Sequence, residues 1–393
     1  MLGKAGAFAA FPPAAAGSKR RMPAARERLA PPDMVLFAVV AALVAIGLVM
    51  IYSASSATAY AAYRDTAYYV KRQFVWLLVG LGPAFLAYRF DYRGLRRFAP
   101  FGVAIAVTLL LAVLIPHVGA MSGGARRWIA AGPFQFQPSE FAKLALVVFL
   151  AAKLSSLGEH VRSLTRGVVP ALFVTVLVGG LILKEPDMGT ASIAIFTAFA
   201  MLFCAGARIE HLVMSSLAML PVVALAIFSS PYKRDRIFAF IDPWKDAQNT
   251  GFHIVQSLLA LGSGGVLGLG LGASRQKFFY LPEQYTDFIF AIIGEELGLL
   301  GAFAVIALFV IFAFRAVRIA IAAPDRFGML LALGCTFLIV IQAFVNIGVV
   351  TSSWPVTGVP LPFLSFGGTS LVVSMVAAAL ILNVGRRRGM PAR

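Results

Sequence analysis

The chain has 393 residues, of which 60% are hydrophobic and only 13% are charged, and its mean hydropathy is +0.86. Because soluble globular domains carry about 25% charged residues, this composition excludes an ordinary soluble enzyme. The net charge of +17 does not indicate a nucleic-acid-binding protein, since no basic stripe with interleaved aromatic residues stands on a soluble element. Cys204 and Cys335 lie inside apolar runs, so the sequence predicts neither a disulfide framework nor a cysteine metal site.

Residues 1–33 are rich in Ala, Pro and Arg and predict a disordered basic tail. Apolar runs of about 17 to 22 residues follow, and each is long enough to cross a hydrocarbon core of roughly 30 Å as a helix. The first run is longer than the apolar part of a signal peptide, so we expect it to be a retained helix.

The apolar runs predict an all-α polytopic membrane domain over residues 34–385, with about ten transmembrane helices, and a second basic tail at 386–393. The predicted crossings are at roughly 34–51, 71–88, 97–116, 138–154, 168–184, 188–206, 209–229, 287–314, 327–350 and 363–384.

Lys and Arg are unevenly divided between the two sides of this arrangement, with about 21 on the side of both termini and about 13 on the other. This excess predicts that both termini are cytoplasmic. The long loop at about 230–286, between crossings seven and eight, then lies outside. It is too aromatic and too apolar to be disordered, and we expect partly helical structure on the outer membrane surface. Its glycine-dense part, 262–272, lacks the phosphate-loop pattern and predicts close packing or a re-entrant turn.

Ionisable residues within or at the edge of a membrane span are candidates for a functional site. Arg126, Arg127 and Trp128 precede the fourth crossing, and Glu140 and Lys143 share one face of its first turns. A local ion pair that anchors the helix end explains Glu140 and Lys143 equally well, and Trp128 is also compatible with an interfacial aromatic residue.

Three further groups of polar residues lie toward the outer side. Asp187 occupies a tight turn between two crossings, where a helix cap is the simpler interpretation. Arg275 and Lys277 precede Asp287, which stands at the start of the eighth crossing; Glu295 lies about 12 Å deeper along that helix. Asp287 is also compatible with a plain N-cap. Residues 346–368 contain three prolines and a glycine pair, which predict a rigid outer turn that shapes the site.

Several motifs taken together resemble the SEDS family (shape, elongation, division and sporulation) over about residues 34–385, and more specifically its FtsW/SpoVE branch. These motifs are Arg126-Arg-Trp-Ile, Gln137-Pro-Ser-Glu-Phe-Ala-Lys143, Glu185-Pro-Asp-Met-Gly-Thr190, Ser263-Gly-Gly, Tyr280-Leu-Pro-Glu-x-x-Thr-Asp-Phe288, Gly294-Glu-Glu-Leu-Gly298 and Pro360-Leu-Pro-Phe-Leu-Ser-Phe-Gly-Gly368. Two positions depart from the family pattern: Tyr285 stands where His is usual, and Glu185 where Gln is common.

The resemblance implies a ten-helix peptidoglycan glycosyltransferase that polymerises lipid II at the outer face of the bacterial cytoplasmic membrane during cell division. It implies a class B penicillin-binding protein as the crosslinking partner, other division-complex membrane proteins, surrounding membrane lipids, and a location at the division septum. The family's essential acid falls on Asp287, its paired lysine on Lys143, and its sensitive Trp and Glu on Trp128 and Glu295.

This reaction inverts the anomeric carbon and needs one base, for which Asp287 is the candidate. Lys143 is expected to orient Asp287 or to hold the diphosphate. The remaining candidates for substrate binding are Arg126, Arg127, Trp128, Glu140, Asp187, Arg275 and Lys277. The sequence identifies no cofactor and leaves a divalent cation open. Two alternatives also stay open: a flippase for lipid II, and a non-catalytic division scaffold.

Overall fold

The computed structural model describes residues 29–122, 125–132, 134–228, 231–277 and 281–387. Its α-helices are α1 Met34–Tyr63, α2 Tyr68–Arg89, α3 Leu95–Leu114, α4 Pro138–Leu157, α5 Val169–Lys184, α6 Met188–Cys204, α7 Ile209–Phe228, α8 Pro231–Ile241, α9 Phe252–Gly264, α10 Ile289–Ile321, α11 Arg326–Val350 and α12 Gly368–Arg386. The predicted tails lie outside the described residues except for 29–33, 386 and 387.

Each of the ten predicted crossings corresponds to a helix. Within the described residues, eight helical segments are long and apolar enough to cross a membrane, and these contain α1 to α5 and α10 to α12. The two other crossings correspond to the shorter apolar helix α6 and to the Ile209–Leu225 part of α7. The multi-pass helical architecture is therefore confirmed.

Ion pairs join the helix ends on the side that the basic residues predict to be cytoplasmic, which we call the inner end. Asp33, before α1, pairs with Arg315 of α10 at 2.5 Å. Asp325, before α11, accepts hydrogen bonds from Arg93 at 3.0 Å and from Tyr92 at 2.5 Å. These contacts hold the inner end of α1 against that of α10, and the inner end of α3 against that of α11. The candidate site residues lie toward the opposite, outer end.

The connection between α3 and α4 contains a small antiparallel sheet that the sequence analysis did not predict. Its strands are β1 Gly119–Ser122, β2 Ala125–Ala131 and β3 Phe134–Phe136, in the order β1-β2-β3. Trp128 on β2 pairs with Ala120 on β1. The domain is thus helical with one β-structured outer connection, and Arg126, Arg127 and Trp128 lie on a strand.

Helix α10 is interrupted at Gly298, whose φ of 67° and ψ of −167° are non-helical. Four backbone hydrogen bonds cross from this break to the glycine-dense segment of the outer loop. They are Leu269 N to Glu295 O at 3.0 Å, Gly270 N to Glu296 O at 3.0 Å, Leu299 N to Gly265 O at 3.0 Å, and Leu300 N to Val266 O at 3.3 Å. The loop therefore satisfies the backbone groups that the break releases, and the expectation of close packing for this segment is confirmed.

The break moves the eighth crossing away from its predicted position at 287–314. Residues 299–321 form a helix of about 35 Å, long enough to cross the hydrocarbon core by themselves. Residues 289–297 form a separate outer segment of α10. The outer loop is partly helical as expected, but α9 packs into the bundle: Ile254 and Ala260 are buried, and Ser257 Oγ donates to Val350 O of α11 at 2.7 Å.

Candidate functional site

Asp287 lies at the outer end of the bundle, two residues before α10 begins. The N-cap of α10 is Phe288, without a side-chain capping bond, so the interpretation of Asp287 as an N-cap is wrong. The backbone of Asp287 is held by α11, because Asn346 Nδ2 donates to Asp287 O at 2.7 Å and to Val359 O at 2.8 Å. Its carboxyl group is left available for another role.

Two arginines, Arg236 of α8 and Arg127, lower the pKa of this carboxyl group, and Arg236 has the larger effect. Its Nη1 donates to Val356 O at 3.2 Å. A Cβ on Gly358 would lie 3.4 Å from Asp287 Oδ2 and 3.9 Å from Arg236 Nη1, so the two side chains share the space in front of this glycine. Arg236 was not among the site residues predicted from the sequence, although a basic residue in a long outer loop was a usable signal.

Asp287 is half-buried, and its surroundings favour the neutral carboxyl. Burial raises the pKa of Asp287 to about 7, and the negative charge of Glu283 contributes to the rise. The positive charge of Arg236 lowers this pKa; Asp187 raises it and Arg127 lowers it by smaller effects. A carboxyl group with a pKa near neutrality is suited to general-base catalysis.

Asp187 and Arg127 organise the turn between α5 and α6 beside this site. Asp187 is buried and caps α6, since Oδ1 accepts from Thr190 N at 2.9 Å; the cap interpretation is confirmed. Gln137 Nε2 also donates to Asp187 Oδ2 at 3.3 Å. Arg127 donates to the backbone oxygens of Glu185 at 2.9 Å and Pro186 at 2.5 Å. Strand β2 is therefore fastened to the α5–α6 turn.

Glu185, one of the two departures from the family pattern, lies in the same turn. It is fully buried, and neither carboxyl oxygen has a hydrogen-bond partner among the described residues. Burial raises the pKa of Glu185 to about 8; the charge of Asp187 raises it and that of Arg127 lowers it. A neutral carboxyl closely resembles the amide of Gln in shape, which explains how the turn accommodates this residue.

Lys143 is buried inside the bundle and does not contact Asp287 in the described structure. Its Nζ lies 2.8 Å from Glu140 Oε1 and donates to Gln342 Oε1 at 2.7 Å. Gln342 Nε2 in turn donates to Pro360 O at 2.9 Å. The local ion pair with Glu140 that the spacing allowed is therefore present, and the role of Lys143 toward Asp287 or the diphosphate stays a prediction.

Within the described residues, α11 links Lys143 to the backbone of Asp287 through Gln342 and Asn346. Gln342 and Asn346 are one helical turn apart on that helix and hold the neighbouring carbonyls of Pro360 and Val359. This arrangement supports the segment that contains Gly358.

Glu295, Arg275 and Lys277 form a second group, away from the carboxyl group of Asp287. Glu295 accepts from Ser274 Oγ at 2.5 Å and from Arg275 N at 2.9 Å, while the side chain of Arg275 is exposed. Lys277 is buried and pairs with Glu296 Oε1 at 3.7 Å. In this structure Glu295 and Lys277 hold the outer loop against α10. Arg126 and Trp128 are half-buried on β2 beside Arg127.

Tyr285, the second departure from the family pattern, packs into an aromatic cluster. Its ring centroid lies 4.3 Å from that of Tyr69 and 5.8 Å from that of Phe366. Burial raises the pKa of the Tyr285 hydroxyl, and a hydrogen bond with Tyr69 raises it further. The ring thus contacts α2 and the 360–368 turn.

An apolar groove of about 500 Å³ lies between α6 and α7. Its walls are formed by aliphatic and aromatic side chains, among them Ile195, Phe196, Phe199, Met219, Leu220 and Val223. Arg236 and Val356 line the same groove. The groove therefore combines an apolar interior with the arginine that faces Asp287.

A family model described as cell cycle protein, for FtsW, RodA and SpoVE, matches residues 33–389. The chain belongs to this family. Stage V sporulation protein E of Bacillus subtilis is 44% identical over 355 residues, covering 90% of this chain and 97% of the relative. The probable peptidoglycan glycosyltransferase FtsW of Trichlorobacter lovleyi is 44% identical over 357 residues, covering 91% and 94%. These relatives confirm the FtsW/SpoVE branch.

Solved structures of the same family share the fold. A chain from a peptidoglycan synthase complex that coordinates polymerization and crosslinking has a TM-score of 0.77 and 32% identity, covering 91% of this chain and 99% of that chain. The rod shape determining protein RodA of Thermus thermophilus has a TM-score of 0.68 and 31% identity, covering 91% and 98%. The multi-pass helical fold expected from the resemblance is in accord with both.

Proposed function

We propose that this chain is a peptidoglycan glycosyltransferase that polymerises lipid II into glycan strands at the outer face of the cytoplasmic membrane during cell division. Family membership and the relatives named as peptidoglycan glycosyltransferases support the activity. The observation that carries the proposal for the site is the position of Asp287. Its carboxyl group does not cap α10, has a pKa of about 7, and lies beside Arg236 at the outer end of the bundle.

The proposed reaction joins two substrates at one carbon. The acceptor hydroxyl attacks the anomeric carbon of the lipid-linked donor, the bond from that carbon to the diphosphate oxygen breaks, and the configuration inverts. Asp287 takes the proton from the attacking hydroxyl. The diphosphate leaves with the bonding electrons, and we assign Arg236 and Arg127 to stabilise its charge, because a guanidinium group matches phosphate oxygens in shape. A second carboxylate as general acid is not needed for this leaving group.

The lipid part of the substrate is assigned to the apolar groove between α6 and α7. The apolar lining keeps a polyprenyl chain out of water as the surrounding bilayer does, and Arg236 would then meet the diphosphate where the chain ends. No group of three or more His, Cys, Asp or Glu that could hold a metal ion occurs among the described residues. A divalent cation that accompanies the diphosphate stays part of the proposal.

We also propose a class B penicillin-binding protein as the crosslinking partner, since a structural neighbour at 32% identity belongs to a complex that coordinates polymerization and crosslinking. Other division-complex proteins, a septal location and cytoplasmic termini belong to the same proposal. The last is supported by the excess of Lys and Arg on the inner end.

The test uses purified full-length protein with its transpeptidase and labelled lipid II, and gel analysis of the glycan products. Asp287→Asn should lower polymerisation at least about 100-fold, the usual contribution of a general base, and Asp287→Ala should do the same. Asp246→Asn, which alters an exposed outer carboxylate, serves as the matched control and should leave the rate unchanged.

Three outcomes would contradict the proposal. Normal activity of a folded Asp287→Asn protein would remove Asp287 as the base. Translocation of lipid II without any polymer from the wild-type protein would indicate a flippase. A wild-type protein that shows no translocation and makes no polymer would indicate a scaffold.

A further inference from the structure

Five aromatic side chains form a continuous cluster at the outer end of the bundle, beginning beside the candidate site. We call this cluster the aromatic platform; it consists of Tyr63, Tyr68, Tyr69, Tyr285 and Phe366. Tyr285 packs on Tyr69, with centroids 4.3 Å apart, and Tyr69 meets Tyr68 edge to face at 5.3 Å. Tyr68 then stacks on Tyr63, at 3.7 Å and an interplanar angle of 10°. The platform thus runs from two residues before Asp287 to the end of α1.

The turn between α1 and α2 produces this arrangement. Arg64 has a left-handed conformation, with φ of 56°, and its N–H donates to Tyr60 O at 2.9 Å, which ends α1. Asp65 Oδ1 accepts from Ala67 N at 3.0 Å. The chain therefore reverses within four residues, and the last residue of α1 meets the first residue of α2. Because α1 continues about 18 Å beyond its predicted end at Ile51, the platform lies outside the most apolar part of that helix.

The simpler explanation of tyrosines at this level is the interfacial aromatic belt of membrane proteins. Belt residues act separately, each with its ring at the level of the headgroups. Here the rings are stacked on one another and continue into the residue next to the candidate site. The outermost part is also open, because Tyr63 is 49% exposed and the adjacent Tyr60 is 52% exposed.

Cationic groups accompany the exposed rings. The guanidinium of Arg64 lies 5.6 Å from the centroid of Tyr60, and that of Arg72 lies 5.7 Å from the centroid of Tyr68. Lys71 pairs with Asp65 at 2.8 Å, and both are partly exposed. The platform therefore presents the exposed ring of Tyr63, with Arg64 next to it in the chain and Arg72 over the Tyr68 ring on which it stacks, and guanidinium groups attract carboxylates.

Amino-sugar polymers with peptide side chains match this surface in both respects. One face of a pyranose ring carries C–H groups with a small positive charge, which pack on the negative face of an aromatic ring. The peptide stems carry carboxylates, which suit Arg and Lys. We propose that the aromatic platform binds the glycan strand close to the site where it is extended. This inference rests on the proposed polymerase activity, and it assigns these residues to strand binding rather than to the bond-forming step.

A polymerase that keeps hold of its strand adds more units before release. Loss of the platform should therefore shorten the strands without slowing the first reaction. The test compares the double variant Tyr63→Ala/Tyr68→Ala with Tyr63→Phe/Tyr68→Phe, which keeps both rings. Tyr52→Ala is the control, because Tyr52 is 47% exposed on the same helix and lies outside the platform.

The measurements are the mean strand length on gels, the initial rate of lipid II consumption, and binding of a soluble uncrosslinked glycan tetrasaccharide to the full-length protein. For the Ala pair we expect strands and tetrasaccharide affinity to fall about two- to tenfold, as expected for loss of aromatic packing, with the initial rate unchanged. The Phe pair and Tyr52→Ala should resemble the wild type.

Unchanged strand length and affinity in the Ala pair would overturn the inference, as would an equal effect of Tyr52→Ala. A lower yield or melting temperature of the Ala pair with normal strands would identify an interfacial anchor and also overturn it. Tetrasaccharide binding separates this inference from the proposed function. If the wild-type protein makes no polymer but binds the sugar through Tyr63 and Tyr68, only the polymerase proposal fails.

Discussion

Replacing Arg236 by Gln tests whether this arginine acts on Asp287. Burial raises the pKa of Asp287 to about 7, while the charge of Arg236 lowers it. If the carboxylate is the base, its ionised fraction rises from about one tenth at about pH 6 to about nine tenths at about pH 8, so kcat/KM should rise about tenfold over this range. Without the cation the pKa of Asp287 increases further. The Arg236→Gln protein should therefore lose most activity near and below neutral pH and recover part of it in alkaline solution.

The assay is the rate of lipid II consumption between about pH 5.5 and about pH 9, for the wild type, Arg236→Gln and Arg234→Gln. Arg234 lies exposed on the same helix, so Arg234→Gln gives the same change in net charge but keeps Arg236 beside Asp287. A rise in KM of Arg236→Gln at every pH would in addition support its contact with the diphosphate. If the rate of Arg236→Gln falls in acidic solution over the same pH range as the rate of the wild type, the proposed action of Arg236 on Asp287 is refuted.

Three other predictions concern stability and are measured by thermal unfolding in detergent. Glu140→Ala leaves Lys143 buried without its carboxylate and should lower the free energy of unfolding by about 3–5 kcal/mol. A folded protein of unchanged stability would contradict the importance of this pair. Gly298→Ala should lower both the melting temperature and the activity, because the residue has φ of 67° and a Cβ would lie 2.5 Å from a loop carbonyl oxygen; Gly262→Ala, with open space around it, should change neither. Glu185→Gln should leave stability unchanged at acidic pH and raise it at alkaline pH. The raised pKa of about 8 means that the wild-type fold is fully favoured only below the ordinary pKa of 4.5, and that it loses stability progressively as the pH rises from there to about 8. Parallel pH profiles of stability would show that Glu185 is not buried as a neutral acid.

The crossings could be predicted from the sequence because a lipid environment requires long apolar helices with internally satisfied backbones. Their ends were less predictable. Helix α1 continues to Tyr63 because its end is set by the left-handed Arg64 and not by the end of the apolar run. The break at Gly298 was missed since a single Gly is tolerated inside many helices. Only the pairing of its neighbours with residues 265–270, distant in sequence, makes the break visible.

The candidate site shows the same division between local and long-range information. Asp187 caps α6 through Thr190, three residues away, and this contact was predictable from spacing alone. Lys143 was expected near Asp287, but its second partner, Gln342, comes from α11 and no spacing rule identifies it. Arg236 was missed for a related reason: its role depends on the space in front of Gly358, which only the packing of α8 against the 354–360 segment creates.

The break in α10 separates its outer segment, which carries Glu295 and Glu296, from the part that crosses the membrane. A continuous helix from Ile289 to Ile321 would be about 50 Å long, well beyond the thickness of the hydrocarbon core. The interruption at Gly298 leaves the inner part to cross the membrane and frees the outer part, 289–297, to be oriented by the loop. Glu295 and Glu296 bind the loop through Ser274 and Lys277. Because a short helix moves as a rigid unit, these contacts also fix the chain that begins at Asp287. Glu295 thus fixes the outer segment of α10 against the loop, eight residues after Asp287, a contact that its place in the sequence alone did not reveal.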